Sequence, residues 1–425
     1  MNDVVFRSSV LPSGITLVTE AMPHRRTLAI GAWCRVGARD EPVDRLGITH
    51  FIEHMMFKGT ERRDARAIAR SLEALGGHLD AFTGREQVCY YARGLEEHLP
   101  EMVDVLADIV CRSRFADRDV ELEKSVVREE ISSCEDNPED KVADLHAAQV
   151  WGAHGLGRPI LGTAETVEAL TADVLREYFG RRYRADHLVV AATGAIEHER
   201  VAALVERHFA PPAGPPLPLS GPPPAFAPTL RHEVRDDLQQ LYLSLGTRGV
   251  PYGDPARYAL AVLHTLLGGG MSSRLFQSVR EEAGLAYSVY SAADFHRDAG
   301  QLSIHLAVSP DRGRVALARV RAELEDLVAR GPSEEEVAAA RAQLKGSVLM
   351  AQESVSSRMY QIAHEEIAAR RVVPPEEQVE RVLAVTREQV VEAARRFLPP
   401  QGFALTALGP AVDGPLEEAD WPVAG

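Results

Sequence analysis

The sequence predicts an α+β fold of two homologous domains, each a mostly antiparallel β-sheet with helices packed on it. Three observations predict it. The chain has 425 residues, too many for one ordinary domain of about 150. Residues 211–228, PPAGPPLPLSGPPPAFAP, hold nine prolines in eighteen positions. Proline lacks an amide donor and fixes φ, so this stretch excludes a helix or a central strand. The order of elements on its two sides is the same. The expected division is a first domain at 1–210, a linker at 211–228 and a second domain at 229–425. As an extended segment of ~3.1 Å per residue, the linker reaches roughly 55 Å.

Taken in order, TLAIGAWCRVG (27–37) is a β-type run. Helical stretches follow at 47–57 and 65–75. HLDAFTGREQVCYYAR then alternates around a turn, as a hairpin does. The second half repeats this with LYLSLGTRG, helices at 255–267 and 273–283, and the alternating run AYSVYSAADF…GQLSIHLAV. Long amphipathic helices come next in both halves. Each half ends in a helix running into an apolar strand, and Thr171 to Gly194 spans 23 positions, as does Thr386 to Gly409. Ser333 and Glu336 mark one helix start as a capping box.

Composition narrows the function. With 45% hydrophobic and 26% charged residues the chain is ordinary globular protein. Its 47 basic and 62 acidic residues give a net charge of −15, which disfavours nucleic acid and anionic membrane as partners. No run approaches the ~20 apolar residues of a membrane span. The N-terminal stretch lacks a basic segment followed by an apolar core, so it does not read as a secretory signal. Cys34, Cys89, Cys111 and Cys134 are few and lack metal-type spacing, which fits reduced thiols in a cytoplasmic protein.

The sharpest chemical signal is His50-Phe51-Ile52-Glu53-His54 on the first helix. Histidines at i and i+4 face the same way and can reach one ion. Glu53 lies on the adjoining side, within reach of a water at that ion. This is the inverted H-x-x-E-H pattern of zinc peptidases. A catalytic zinc site takes three protein ligands and one open position. The third ligand should come from another element of the same domain. ADRDVELEKSVVREEISSCED is dense in glutamates, and Glu123 and Glu130, seven apart, share nearly one face. Such a run is also what a solvated acidic face looks like. Here the carboxylates interrupt an apolar stripe that includes Val126 and Val127.

Four blocks in order, HFIEHMMFKGT, LEALGGHLDAFTGRE…YYAR, EKSVVREEISSCEDNPED and GGGMSSRLFQSVREEAGLAYSV, resemble the pitrilysin/insulysin family of zinc peptidases. The similarity runs from about residue 5 to 412. It is greatest to the short bacterial members and to the catalytic subunit of mitochondrial processing peptidase. The resemblance implies that His50, His54 and Glu130 bind one zinc ion per chain and that Glu53 is the general base. It places Glu123 as the carboxylate orienting a ligand histidine, a role that fixes the tautomer. Glu129 is the nearest rival to Glu130, but it sits about 100° around the helix, so both cannot face the ion.

The resemblance further implies that Tyr287 donates near the scissile carbonyl and that Arg280 anchors substrate. The strand after Gly76-Gly77 matches the family's docking edge, where an extended peptide adds by main-chain hydrogen bonds. Asp80-Ala81 stand there, and the family usually has asparagine in place of Asp80. That departure either shifts preference toward basic residues or is neutral. In the second half, His264 aligns with His54, while Leu260 and Leu263 meet His50 and Glu53, so that half cannot hold a metal. No lysine follows the glycines of LGGGMSS at P-loop spacing, so they read as a tight connection.

The expected function is therefore a cytoplasmic zinc metalloendopeptidase acting on peptides or unfolded segments. The family fold implies that one chain is half of a clamshell. A homodimer is expected, because the zinc motif and Arg280/Tyr287 occur in one chain; the alternative is a heterodimer with a related subunit. A catalytically silent assembly protein of the same fold is the rival of another class. It would be expected to carry a damaged motif, and this motif is intact.

Overall fold

A computed structural model describes residues 5–212, 221 and 223–422; positions 213–220 and 222 of the expected linker lie outside the described residues. Two compact units are present. No helix among the described residues is long and apolar enough to cross a membrane.

The first unit is built on a sheet of β1 (Val5–Val10), β2 (Thr16–Ala21), β3 (Thr27–Cys34), β4 (His78–Thr83), β5 (Val88–Leu95) and β6 (Leu188–Gly194). Its order is β1-β2-β6-β3-β5-β4. Only β2 and β6 pair in parallel. β4 is an edge strand. Alternation along β3 sends Leu28, Ile30 and Ala32 into a core shared with Phe51, Met55 and Leu106. Ala29 and Trp33 face the opposite side, where Met359, Ile362 and Ala363 of helix Val355–Ala369 cover them. Beside these residues Arg358 Nε donates to Glu20 Oε1 at 2.9 Å, and both side chains are almost wholly buried. Charges so far from water persist only as a hydrogen-bonded pair.

The second unit is built on β7 (Leu230–Val234), β8 (Leu241–Arg248), β9 (Ala286–Phe295), β10 (Gly300–Val308) and β11 (Ala404–Gly409), in the order β7-β11-β8-β10-β9. Only β7 and β11 are parallel. Leu405 and Ala407 enter its main core. Ala404 and Leu408 point the other way, against Ala147, Val150 and Trp151 and against Val142 and Leu145 of helix Pro138–Trp151.

The two homologous sheets match the repeat read in the sequence, but the units do not follow the contiguous division at 1–210 and 229–425. Residues 134–157 belong to the second unit and 351–372 to the first. Each sheet has two apolar faces. Its own half of the chain covers one, and a helix from the other half covers the second. The helix expected at 273–283 is a π-type segment, Phe276–Glu282.

Candidate metal centre and active site

Helix Ile48–Met56 starts at Gly47, whose φ of 82° only glycine adopts freely and whose Cβ, if present, would lie 2.4 Å from the Leu161 carbonyl oxygen. The Glu41 carboxylate accepts from the Gly47 N–H at 2.7 Å and the Thr49 N–H at 2.8 Å. A carboxyl group at this end satisfies amides that the helix leaves free. Burial pushes Glu41 up to about 8 against those hydrogen bonds. Ile48, Phe51, Ile52 and Met55 pack into the core. His50, Glu53 and His54 project from the remaining side.

Helix Asp117–Asp136 supplies the partner carboxylates. Val120, Glu123 and Val127 are buried on it, whereas Val126 is exposed, so the apolar stripe is narrower than expected. Glu130 Oε2 lies 3.6 Å from His50 Nε2 and 3.4 Å from His54 Nε2. One ligand atom from each of the three residues falls within 4.8 Å of the others. On the far side of His54, Nδ1 is 2.8 Å from Glu123 Oε1. Lys58 Nζ sits 2.5 Å from the other oxygen of Glu123, whose side chain is only 4% exposed. Nδ1 of His50 is buried with no hydrogen-bond partner among the described residues. The ring is held by packing, by the His54 ring 4.6 Å away between centres and by Glu130 beside Nε2.

Electrostatics follow from these contacts. Burial and the His54 charge push His50 down. Burial works against charged His54, but the bonds to Glu123 and Glu130 outweigh it and raise its pKa. The bond to His54 holds Glu130 below the usual carboxylate range. Two imidazole nitrogens and one carboxylate oxygen converging on one point are a donor set that suits a small divalent cation such as zinc.

Glu53 stands beside this trio. The Thr83 hydroxyl, at the end of β4, donates to its Oε2. Burial pushes Glu53 up, and the Thr83 bond opposes this. Asp80 and Ala81 lie on the same edge strand; Tyr91 donates to Asp80 Oδ2 at 3.2 Å, and the Ala81 N–H to Oδ1 at 2.8 Å. Arg280 and Tyr287 belong to the second unit. They are together there, the guanidinium 5.1 Å from the ring centre and Tyr287 83% exposed. In the same unit Leu260 and Leu263 are fully buried, and His264 Nδ1 is 3.2 Å from Ser291 Oγ. His264 is thus a packed, hydrogen-bonded residue.

Glu41, Lys58 and Thr83 were not singled out in the sequence. Lys58 stands four residues after His54, a spacing that could have shown it. Glu41 and Thr83 carry no comparable signal.

A fold of two homologous units with two imidazoles, a carboxylate and a neighbouring half-buried glutamate on one of them is the arrangement of a metal-dependent hydrolase. The chain belongs to the insulinase family, peptidase family M16. Residues 16–164 match the model described as insulinase (peptidase family M16), and 169–344 match the peptidase M16 inactive domain. An uncharacterized zinc protease of Mycobacterium tuberculosis is 41% identical over 95% of this chain and 93% of its own length. One from Bacillus subtilis is 36% identical over 95% and 98%. A protease from Helicobacter pylori superposes with a TM-score of 0.91 at 18% identity, covering 96% of this chain and all of that one. Complex III2 from Candida albicans contains a chain that superposes at 0.82 with 21% identity over 95% of both. The two structures bear on the fold alone.

Proposed function

We propose that the protein is a zinc metalloendopeptidase that hydrolyses peptides or unfolded segments. The observation that carries this reading is the convergence of His50, His54 and Glu130 ligand atoms within 4.8 Å, with Glu53 alongside. The names of the relatives support zinc as the metal. Zinc held by these three residues would lower the pKa of a water toward ~7 and polarise the scissile carbonyl.

The chain's own residues would do the rest. Glu53 Oε2 is engaged by Thr83, which leaves Oε1 to take a proton from the attacking water and return it to the leaving amine. Glu123 holds His54 by Nδ1 so that Nε2 faces the site. The free edge of β4, at Asp80 and Ala81, would pair with the main chain of an extended peptide. Arg280 would anchor substrate, and Tyr287 would donate to the oxyanion.

Two copies of the chain would form the working enzyme, each carrying Arg280 and Tyr287 to the other's zinc; a heterodimer with a related subunit is the alternative. A cytoplasmic setting completes the reading, supported by four free cysteines. The test is metal analysis of the purified chain together with a quenched-peptide assay. One zinc per chain, loss of cleavage with chelator and recovery with low zinc support the reading. Cleavage that survives complete removal of metal rules it out.

A further inference from the structure

We propose that Thr83 is a positioning residue for Glu53, tying the aim of the base to the strand on which a peptide docks. The inference deepens the proposed function and rests on it for the roles of Glu53 and β4.

Glu53 lies on the helix Ile48–Met56, and Thr83 is the last residue of β4, thirty positions further on. Their hydrogen bond joins the helix to the sheet edge. A glutamate has three rotatable bonds, so without a partner its carboxylate samples several directions. Anchoring Oε2 leaves only Oε1 for proton transfer and fixes its direction. Thr83 is itself well held. It is β-branched, hence stiff at χ1. It pairs across the sheet with Val88, on the face that enters the core with Tyr90 and Ala92.

The turn behind Thr83 is tied down as well. Gly84 N–H donates to the Gln87 carbonyl at 2.8 Å. Ala38 N–H and Arg39 N–H reach the carbonyls of Gly84 and Arg85 at 3.2 and 2.9 Å. Arg39, fully buried, pairs with Glu86 at 2.5 Å. The hydroxyl therefore sits on a rigid support.

The support has a second role. A peptide added to β4 takes its register from the main chain of 78–83. Its scissile bond is then placed relative to the same residue that aims Glu53. One strand sets the reacting carbonyl and also anchors the proton acceptor, so their positions are coupled through Thr83. Misplacements of about 1 Å cost roughly 100-fold in rate, which is the scale at stake.

The test uses the metal-loaded full chain. Thr83→Val keeps the shape and strand propensity and removes the donor. It should lower kcat by about 10- to 100-fold, with KM within about twofold and zinc content unchanged. Thr83→Ser keeps the donor and should restore kcat to within about threefold of wild type. In a Glu53→Asp background, whose shorter side chain cannot reach Thr83, adding Thr83→Val should cost less than about threefold. Wild-type kcat in Thr83→Val, failure of serine to rescue, a KM rise that accounts for the loss, or a full additional loss in the Glu53→Asp background would each overturn the proposal. Wild-type activity in Glu53→Gln would overturn the underlying mechanism, and this proposal with it. With Glu53→Gln inactive, a wild-type kcat in Thr83→Val would sink the positioning role alone.

Discussion

Oε1 of Glu123 lies 2.8 Å from Nδ1 of His54, and the carboxylate that makes this contact is buried. The contact decides which nitrogen of the ring faces Glu130. Glu123→Gln keeps the shape and loses the charge, so zinc affinity should fall by roughly 10- to 100-fold. Glu130→Gln should strip the metal, and Glu129→Gln should retain it. Chelator competition on the three purified variants measures all three. Reversed metal contents for positions 129 and 130 would show that the ligand assignment is wrong.

On the proposed mechanism, Glu53→Gln removes the base and leaves the three ligands in place. Zinc content should match wild type while turnover falls by about two to four orders of magnitude. Metal analysis beside the peptide assay separates these effects. A variant that lost zinc would place Glu53 among the ligands instead.

If each site is shared between two copies, Glu53→Gln and Tyr287→Phe should complement each other. Every mixed dimer would hold one site with both wild-type groups and one with neither. Activity should rise from near zero toward about half of wild type per mixed dimer, since one of its two sites is whole. Verified subunit exchange without rescue would return Tyr287 to its own chain's site or to no catalytic role.

Acid stability should depend on His146. Its Nδ1 is 2.8 Å from Thr406 Oγ1, and that hydroxyl donates onward to Gln149 at 2.7 Å. Nδ1 therefore carries the proton, and Nε2 accepts from Gln301 at 2.9 Å. There is no room to rearrange, because Nε2 would lie 2.3 Å from a Cβ built on Gly246. Burial pushes His146 down to about 3. The unfolded chain binds a proton near 6.5 that the folded chain refuses, so stability is lost as pH falls below 6.5. At pH 5 this one residue should cost about 2 kcal/mol. Denaturant midpoints at pH 7.5 and 5.0 should differ less in His146→Gln than in wild type. Equal differences would show that the imidazole does not drive the loss.

The readability of the chain varied with the range of the interaction. The imidazole pair was legible because its i, i+4 spacing lies within one helix. The hairpin of β4 and β5 was legible from alternation, and the leucines at 260 and 263 are buried, as apolar residues on a core-facing helix are. Glu41 was hidden because a carboxylate six to eight residues ahead of the amides it caps matches no local pattern. Thr83 was hidden because its partner lies thirty residues away, on a helix beside the sheet edge. The exchange of helices was hidden for a deeper reason. The pattern of Met359, Ile362 and Ala363 fixes an apolar face, but it does not say which sheet that face covers. Both sheets offered an open side.

That exchange has a consequence for synthesis. When the ribosome has released the chain through Gly221, the first unit still lacks the helix that covers Ala29, Trp33 and Val189. The 151 residues from there to Val372 take roughly 8–30 s at ordinary elongation rates. During that interval the apolar face has not yet received the helix that covers it in the folded chain. Fragments 1–212 and 223–425 should each aggregate when expressed singly and should yield a soluble complex when expressed together.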